Sequence, residues 1–195
     1  MSALVIATAP AAEPVTTSEA KLHMRVDHST EDTYIAALIK LARADVERIT
    51  NLALINQTWD WFLDDFPVSP FKIPYYPLAS ITSIKWKNKI GTEATVTNTN
   101  YVVDIKSRPG RVKLISSYSW PTDELYPLNA ITIRFVAGFG ASGSYVPEKY
   151  RQAILLLVAH YYENREAVYA SVGGNVQMLP MGVTALLADD IRWVS

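Results

Sequence analysis

Residues 57–137 consist of short strand-like segments with no helical pattern between them. About six such segments are separated by clusters of Pro, Gly, Asn and Asp, among them "TWDWFLDDF", "SITSIKW", "NYVVDI", "RVKLI" and "AITIRFVA". Parallel strands need long crossover connections, and spacing this close leaves no room for them. The region therefore predicts an antiparallel sheet or a small barrel. The second strand is expected to be short and to lie at an edge of the sheet, because of Pro70, Pro74 and Pro77.

Two amphipathic helices are predicted on either side of this region. Residues 30–50 repeat apolar side chains every three or four positions, and residues 147–165 do the same. Ser29 and Asp32 are expected to cap the first helix, and Pro147 fits the first position of the second. The two apolar stripes are expected to pack together. Their members are Ile35, Leu38, Ile39, Ala42, Val46 and Ile49 in the first helix and Tyr150, Ile154, Leu157, Val158 and Tyr161 in the second.

These patterns predict an α+β protein: a small helical bundle, with two long helices plus short ones, that carries an inserted antiparallel β region. A chain of 195 residues fits one domain with such an insertion. One short helix is expected within "TSEAKLHMRV". The expected divisions are an extended N-terminal arm (1–16), the N-terminal helices of the bundle (17–56), the antiparallel β insertion (57–140), the C-terminal bundle helix (141–168), and a flexible connection with an apolar C-terminal tail (169–195).

Composition excludes several classes of function. The net charge of −1 argues against a protein held on nucleic acid mainly by bulk electrostatics. The chain has no cysteine, which excludes disulfides, thiolate metal sites and cysteine catalysis. No apolar run reaches the roughly 18–20 residues that a membrane-spanning helix needs, so no membrane partner is expected.

Gly138, Gly140 and Gly143 spell G-x-G-x-x-G, the fingerprint of a dinucleotide-binding loop. In such a loop the third glycine lies at the start of the helix whose N–H groups bind the pyrophosphate. Here the predicted helix begins only after Pro147, and no strand with an acidic ribose ligand follows it. We therefore interpret the glycines as a turn and expect no cofactor.

Other polar motifs do not assemble a catalytic or metal site. His160 and Glu163 share a helix face, but a di-metal bundle needs matching carboxylates on partner helices, and these are missing. The segment "KWKNK", residues 85–89, could bind single-stranded nucleic acid through its lysines and tryptophan. The favoured interpretation is a lysine-rich hairpin tip, or an edge strand that its lysines protect against aggregation. Tyr75 and Tyr76 are expected to pack on the sheet or at an interface. No catalytic residue, cofactor-binding residue or metal ligand is predicted.

The C-terminal tail carries more apolar side chains than a free chain end would expose. Pro180 can open a short helix, and a helix this short needs a surface to pack on. That surface could be the protein's own bundle, a neighbouring subunit or another protein. We expect an intermolecular role, since Gly173 and Gly174 would let the segment swing outward. The candidate interface residues are Leu179, Val183, Leu186, Leu187, Ile191 and Trp193.

In order along the chain, these segments resemble the head–tail connector, or adaptor, proteins of long-tailed double-stranded DNA phages and prophages. The resemblance covers nearly the whole chain, and its most specific parts are "NLALINQTW" (51–59) and "YYENREAV" (161–168). The resemblance implies a non-enzymatic structural virion protein at the head–tail junction, assembled in the host cytoplasm. The long N-terminal arm departs from the pattern that we associate with the family.

The resemblance also implies the partners. The chain is expected to form a homo-oligomeric ring, a dodecamer, that joins the portal protein to a tail-side stopper or tail-terminator protein. DNA would pass through the lumen without sequence-specific binding. Two alternatives stay open at this point: another structural ring protein of a phage, such as a stopper or tail-end subunit, and a small nucleotide-binding enzyme.

Overall fold

A computed structural model describes residues 2–165 and 181–191, which fall into two compact units. The first, here called the β unit, comprises the described residues of Met1–Ala11 and Asn56–Phe139. The second, here called the helical unit, comprises those of Ala12–Ile55 and Gly140–Ser195. The architecture is α+β, as the sequence predicts.

The β unit contains two antiparallel sheets. In the five-stranded sheet the order is β1-β2-β8-β4-β5, and in the three-stranded sheet it is β3-β7-β6. Every strand pair is antiparallel, which confirms the expectation from the close strand spacing. The strands are β1 (Ser2–Thr8), β2 (Gln57–Leu63), β3 (Phe71–Lys72), β4 (Leu78–Lys87), β5 (Glu93–Val96), β6 (Tyr101–Asp104), β7 (Arg111–Leu114) and β8 (Ile131–Ala137).

The period-two pattern places alternate residues of β8 in the core. Ile131, Ile133 and Phe135 are fully buried, because β8 lies in the middle of the sheet between β2 and β4. Arg134 points the other way and forms a bidentate pair with Asp60 of β2, its cross-strand neighbour, at 2.7 Å for both bonds. The short β3 lies at the edge of its sheet, where the flanking prolines predict it.

The N-terminal segment, for which the sequence predicts an extended arm, contains a strand. Residues Ser2–Thr8 form β1, which pairs with β2 from Ser2↔Leu63 to Thr8↔Thr58. Residues 12–16 belong to the helical unit instead. The 1–16 segment is therefore divided between the two units.

The helical unit contains α1 (Thr17–Met24), α2 (Asp32–Thr50), α3 (Glu148–Glu163) and α4 (Met181–Ile191). Thr16 and Glu19 form a capping box that opens α1. The cap predicted for α2 is wrong: Glu31 is its N-cap, with no side-chain cap hydrogen bond, and Ser29 lies outside the helix. Pro147 is the N-cap of α3 and not its first helical residue.

The stripes of α2 and α3 form the core of the helical unit. The two helices pack against each other, which confirms the predicted pairing. The stripe residues that are buried are Ile35, Leu38, Ile39, Ala42 and Val46 in α2 and Tyr150, Ile154, Leu157 and Val158 in α3. Ile49 and Tyr161 are half-buried at the ends of these stripes. Glu47 is also buried, and no sequence pattern predicted that.

Candidate assembly interface

The string "NLALINQTW" forms a buried connection after α2. Asn51 adopts the left-handed conformation, φ 53°, that ends the helix. Leu52, Ala53, Leu54 and Ile55 are then essentially inaccessible to solvent. The backbone N–H of Leu54 donates to Oε1 of Glu47 at 2.8 Å. A buried backbone N–H group needs a hydrogen-bond acceptor, and Glu47 supplies one for this string.

Glu47 belongs to an ion-pair network that fixes the N-terminal segment. Arg43 donates from Nη1 to Glu47 and from Nε to Glu13, both at 2.7 Å. Burial alone would lower the pKa of Arg43, but its two carboxylate partners raise it above the ordinary value. The network thus keeps a buried cation charged and ties residue 13 to the middle of α2. Arg43 and Glu47 are four residues apart on one helix face, and this spacing is the one sign of the ion-pair network in the sequence.

The string "YYENREAV" joins the end of α3 to α2. The Tyr161 hydroxyl donates to Asp45 at 2.8 Å, and burial together with this bond raises the pKa of Tyr161 to about 12. Tyr162 donates to Glu31, and Arg165 pairs with the same carboxylate at 2.6 Å. The guanidinium of Arg165 also lies over the ring of Tyr162, 5.1 Å from its centroid. The described part of this string therefore has a structural role; residues 166–168 lie outside the described chain.

The three glycines of the fingerprint make close packing contacts. Gly138 has a φ of 147°, and a Cβ there would lie 2.4 Å from the backbone nitrogen of Asn56. A Cβ on Gly140 would meet the ring of Tyr145 at 2.4 Å. Gly143 opens a short 3-10 turn, and α3 begins only at Glu148. None of the three lies at the start of an α-helix, so the interpretation as a turn agrees with the geometry.

Replacing Gly143 with alanine is expected to lower the free energy of unfolding by about 1–3 kcal/mol. The reason is steric. A Cβ on Gly143 would lie 2.4 Å from the carbonyl oxygen of Pro14, and that segment is held by Arg151, whose Nε donates to the same oxygen at 3.2 Å. Urea unfolding measures the change. Ser144→Ala, an exposed control in the same turn, should stay within about 0.5 kcal/mol, and equal stability of both variants would contradict the packing argument.

The lysines of "KWKNK" lie on the β4–β5 hairpin. Lys85 pairs with Glu93 across the strands at 2.7 Å, and Lys89 pairs with Glu124 at 2.9 Å. The turn is closed by Asn88, whose Oδ1 accepts hydrogen bonds from Ile90 and Thr92. Carboxylates thus offset two of the three lysine charges, which favours the hairpin-tip interpretation over a nucleic-acid site.

Tyr75 and Tyr76 pack on the sheet, one of the two places expected for them. The ring of Tyr75 stacks on that of Trp59 with centroids 4.4 Å apart. Tyr76 is buried. Neither side chain is available as an exposed stacking platform.

The described residues hold no cluster of three or more His, Asp or Glu side chains that could bind a metal ion. His160 lies beside Asn164, with 3.3 Å between its Nδ1 and the amide nitrogen. Among the helices in the described parts of the chain, none has the length and apolarity to cross a membrane.

The polar groups described above connect the elements of the fold. Residues 15–109 match the family described as Phage gp6-like head-tail connector protein. Over this part, just under half of its length, the chain is similar to head–tail connectors. No curated protein has a matching sequence. The role of the connector is structural, which agrees with the hydrogen bonds and ion pairs that the two most specific strings make.

Solved structures extend the likeness of the connector over nearly its whole length. One is described as the neck of an empty GTA particle computed with C6 symmetry; it is 26% identical, with 96% of this chain and 94% of that chain covered and a TM-score of 0.78. A second, the virion of a native gene transfer agent (GTA) particle, is 27% identical, with 95% and 93% covered and a TM-score of 0.79. A third, the neck of a native GTA particle computed with C12 symmetry, is 27% identical, with 97% and 94% covered and a TM-score of 0.71.

The structure places only part of the candidate tail interface. Val183 and Leu187 of α4 are fully buried, because α4 packs on α3 and also touches α2. Both side chains therefore lie in the core of the connector's own helical unit, and the assignment of these two residues to an intermolecular surface stays a prediction. Leu186 is half-buried. Leu179 and Trp193, and the side chain of Ile191, lie outside the described part of the chain, so their assignment stays a prediction.

Proposed function

We propose that this connector forms a ring in the neck of a virion, between the portal protein and a tail-side stopper or tail-terminator protein. The observation that carries the proposal is the likeness of 97% of the chain to a neck structure computed with C12 symmetry. A chain that keeps this fold over its whole length can keep the same neighbours in its assembly. We further propose that the connector is located in the host cytoplasm before it enters the particle.

We propose a dodecamer as the ring. Twelvefold symmetry supports this number, and the sixfold symmetry applied to the other neck structure is a subgroup of it. A cyclic ring is built from heterologous contacts, in which two different surfaces of the same chain meet. DNA would pass through the lumen without sequence-specific contacts, in keeping with a chain whose net charge is only −1.

We also propose that the connector has no enzymatic activity and needs no cofactor or metal. The support is the use of its polar side chains: the network around Glu47, the bonds at the end of α3 and the tight glycine contacts all stabilise the fold. We further propose that residues 169–195 include contacts to the portal, made by the tail residues that are not buried in the helical unit. A stopper or tail-end ring protein is the second candidate, because a likeness to structures described as necks does not specify which neck protein the chain corresponds to.

Electron microscopy of the purified connector, with and without its portal, tests the proposal. We expect rings, or portals capped by an additional ring, with twelvefold class averages. Binding to tail-side rings with no binding to the portal would favour a stopper or tail-end subunit instead. In a parallel melting experiment NAD, FAD and ATP at millimolar concentration should leave the transition unchanged; a reproducible upward shift would contradict the non-enzymatic assignment.

A further inference from the structure

The strand β1 is an exposed apolar edge strand. Its sequence is "SALVIAT", and among the described strands it pairs only with β2, since it stands first in the order of the five-stranded sheet. Six of its seven residues are exposed and the seventh is half-buried. Val5 is 52% and Ile6 47% exposed. Within residues 2–165 and 181–191, no strand pairs with the other edge of β1, so the backbone N–H and C=O groups on that edge lie open beside apolar side chains.

Edge strands of this kind are a hazard that proteins normally guard against with charges, proline or extreme shortness. Two other edge strands of the β unit show such protection. The strand β3 has only two residues, and β5 carries Glu93, which is paired with Lys85. The strand β1 has no charged residue and no proline. An unguarded apolar edge of seven residues indicates a strand that another segment covers in the assembled state.

We propose that the free edge of β1 binds an edge strand of a neighbouring copy of this chain. The proposal rests on the ring of the proposed function, because a ring contact joins two different surfaces of one chain. The chain supplies suitable partners: β5 is the opposite edge of the same sheet, and β6 is an edge of the three-stranded sheet. Val102 of β6 is 61% exposed and offers a matching apolar side chain. Strand addition between copies would cover β1 without any further protein.

Disulfide trapping tests this pairing directly, since the natural chain contains no cysteine. Val5→Cys is combined with Thr95→Cys on β5 in one variant and with Val102→Cys on β6 in another. Both partner positions are exposed. After oxidation of assembled rings, one of the two double variants should give a ladder of covalent oligomers on a denaturing gel. The control combines Val5→Cys with Leu22→Cys on α1, where Leu22 is 81% exposed, and should give no ladder.

The outcomes separate this inference from the proposed function. Rings that form normally but give no ladder in either double variant would overturn the strand pairing and leave the ring intact. Val5→Cys alone giving only covalent dimers would also overturn it, because that result means a twofold β1–β1 contact. If no rings form with or without the portal, both proposals fail.

A lysine placed on β1 provides a second measurement. Val5→Lys introduces the charge that guarded edge strands carry, so we expect the protein concentration needed for ring formation to rise at least about tenfold. The melting temperature of the monomer should stay unchanged, since the side chain is exposed. Leu22→Lys is the matched control and should assemble like the natural chain. Unchanged ring formation by Val5→Lys would contradict the proposal.

Discussion

Replacing Arg43 with methionine is expected to lower the free energy of unfolding by about 3–5 kcal/mol. The Arg43 side chain is 14% exposed, and those of its partners Glu13 and Glu47 are 23% and 10% exposed. Methionine keeps most of the packing volume but leaves two carboxylates in a largely buried place without their cation. Breaking a buried ion pair by removing one partner is strongly destabilising for this reason. Urea unfolding monitored by tryptophan fluorescence and by circular dichroism measures the change.

The matched control for Arg43 lies further along the same helix. Arg48 pairs with Asp45 at 3.0 Å, but its side chain is 71% exposed. Exposed pairs contribute little because water screens them, so Arg48→Met should cost less than about 1 kcal/mol. Equal losses in the two variants would show that burial does not determine the strength of the pair. A loss below about 1 kcal/mol for Arg43→Met would mean that the network contributes no more than a surface ion pair.

The two long helices, α2 and α3, were predictable because each has one continuous apolar stripe. Tertiary packing only had to bury a face that the sequence already showed, as Ile35, Leu38, Leu157 and Val158 illustrate. The start of α2 was not predictable, because Ser29 has the right chemistry for a cap but Glu31 takes the N-cap position. Local propensity at a helix end is weak compared with the contacts that fix the neighbouring loop.

The strand β1 was missed because its pattern does not alternate. A strand with one buried face shows apolar and polar residues in turn, whereas β1 is exposed on nearly all of its length and has an unbroken apolar run, "ALVIA". Strand β5 was missed for a different reason: it is short and includes Glu93 and Ala94, which have low strand propensity, so that pairing with β4 decides its conformation.

The periodicity of apolar residues predicted neither the ion-pair network nor the surface on which the C-terminal helix packs. The spacing of Arg43 and Glu47 on one helix face indicates their pairing, but nothing in the sequence indicates that Glu13, 30 residues away from Arg43, joins them. The apolar stripe of α4 was visible in the sequence. The sequence pattern of such a stripe is the same whether the protein's own bundle or another subunit covers it. Only the three-dimensional placement on α3 distinguishes the two for Val183 and Leu187.

Replacing Leu187 with alanine is expected to lower the free energy of unfolding by about 2–5 kcal/mol. Leu187 is fully buried, so truncation removes its packing and leaves a cavity in the helical unit. Two further observations support the close packing of α4 on α3. Lys149 pairs with Asp190 at 2.5 Å, and a Cβ on Gly182 would lie in ordinary van der Waals contact with Leu156, 3.5 Å from its Cδ1. Thr184→Ala, an exposed change on the same helix, should stay within about 0.5 kcal/mol.

The burial of Leu187 changes what deletion of the C-terminal segment can show. A chain ending at residue 180 would lose the predicted interface residues of the tail that follow it, but it would also lose Val183 and Leu187 from the core. We therefore expect the truncated connector to melt at a lower temperature, so that lost portal binding alone would not identify an interface. Leu187→Ala measured for both melting and portal binding separates the two effects. A large loss of stability with normal portal binding at low temperature assigns α4 to the core; portal binding lost at unchanged stability would instead restore Leu187 to the interface.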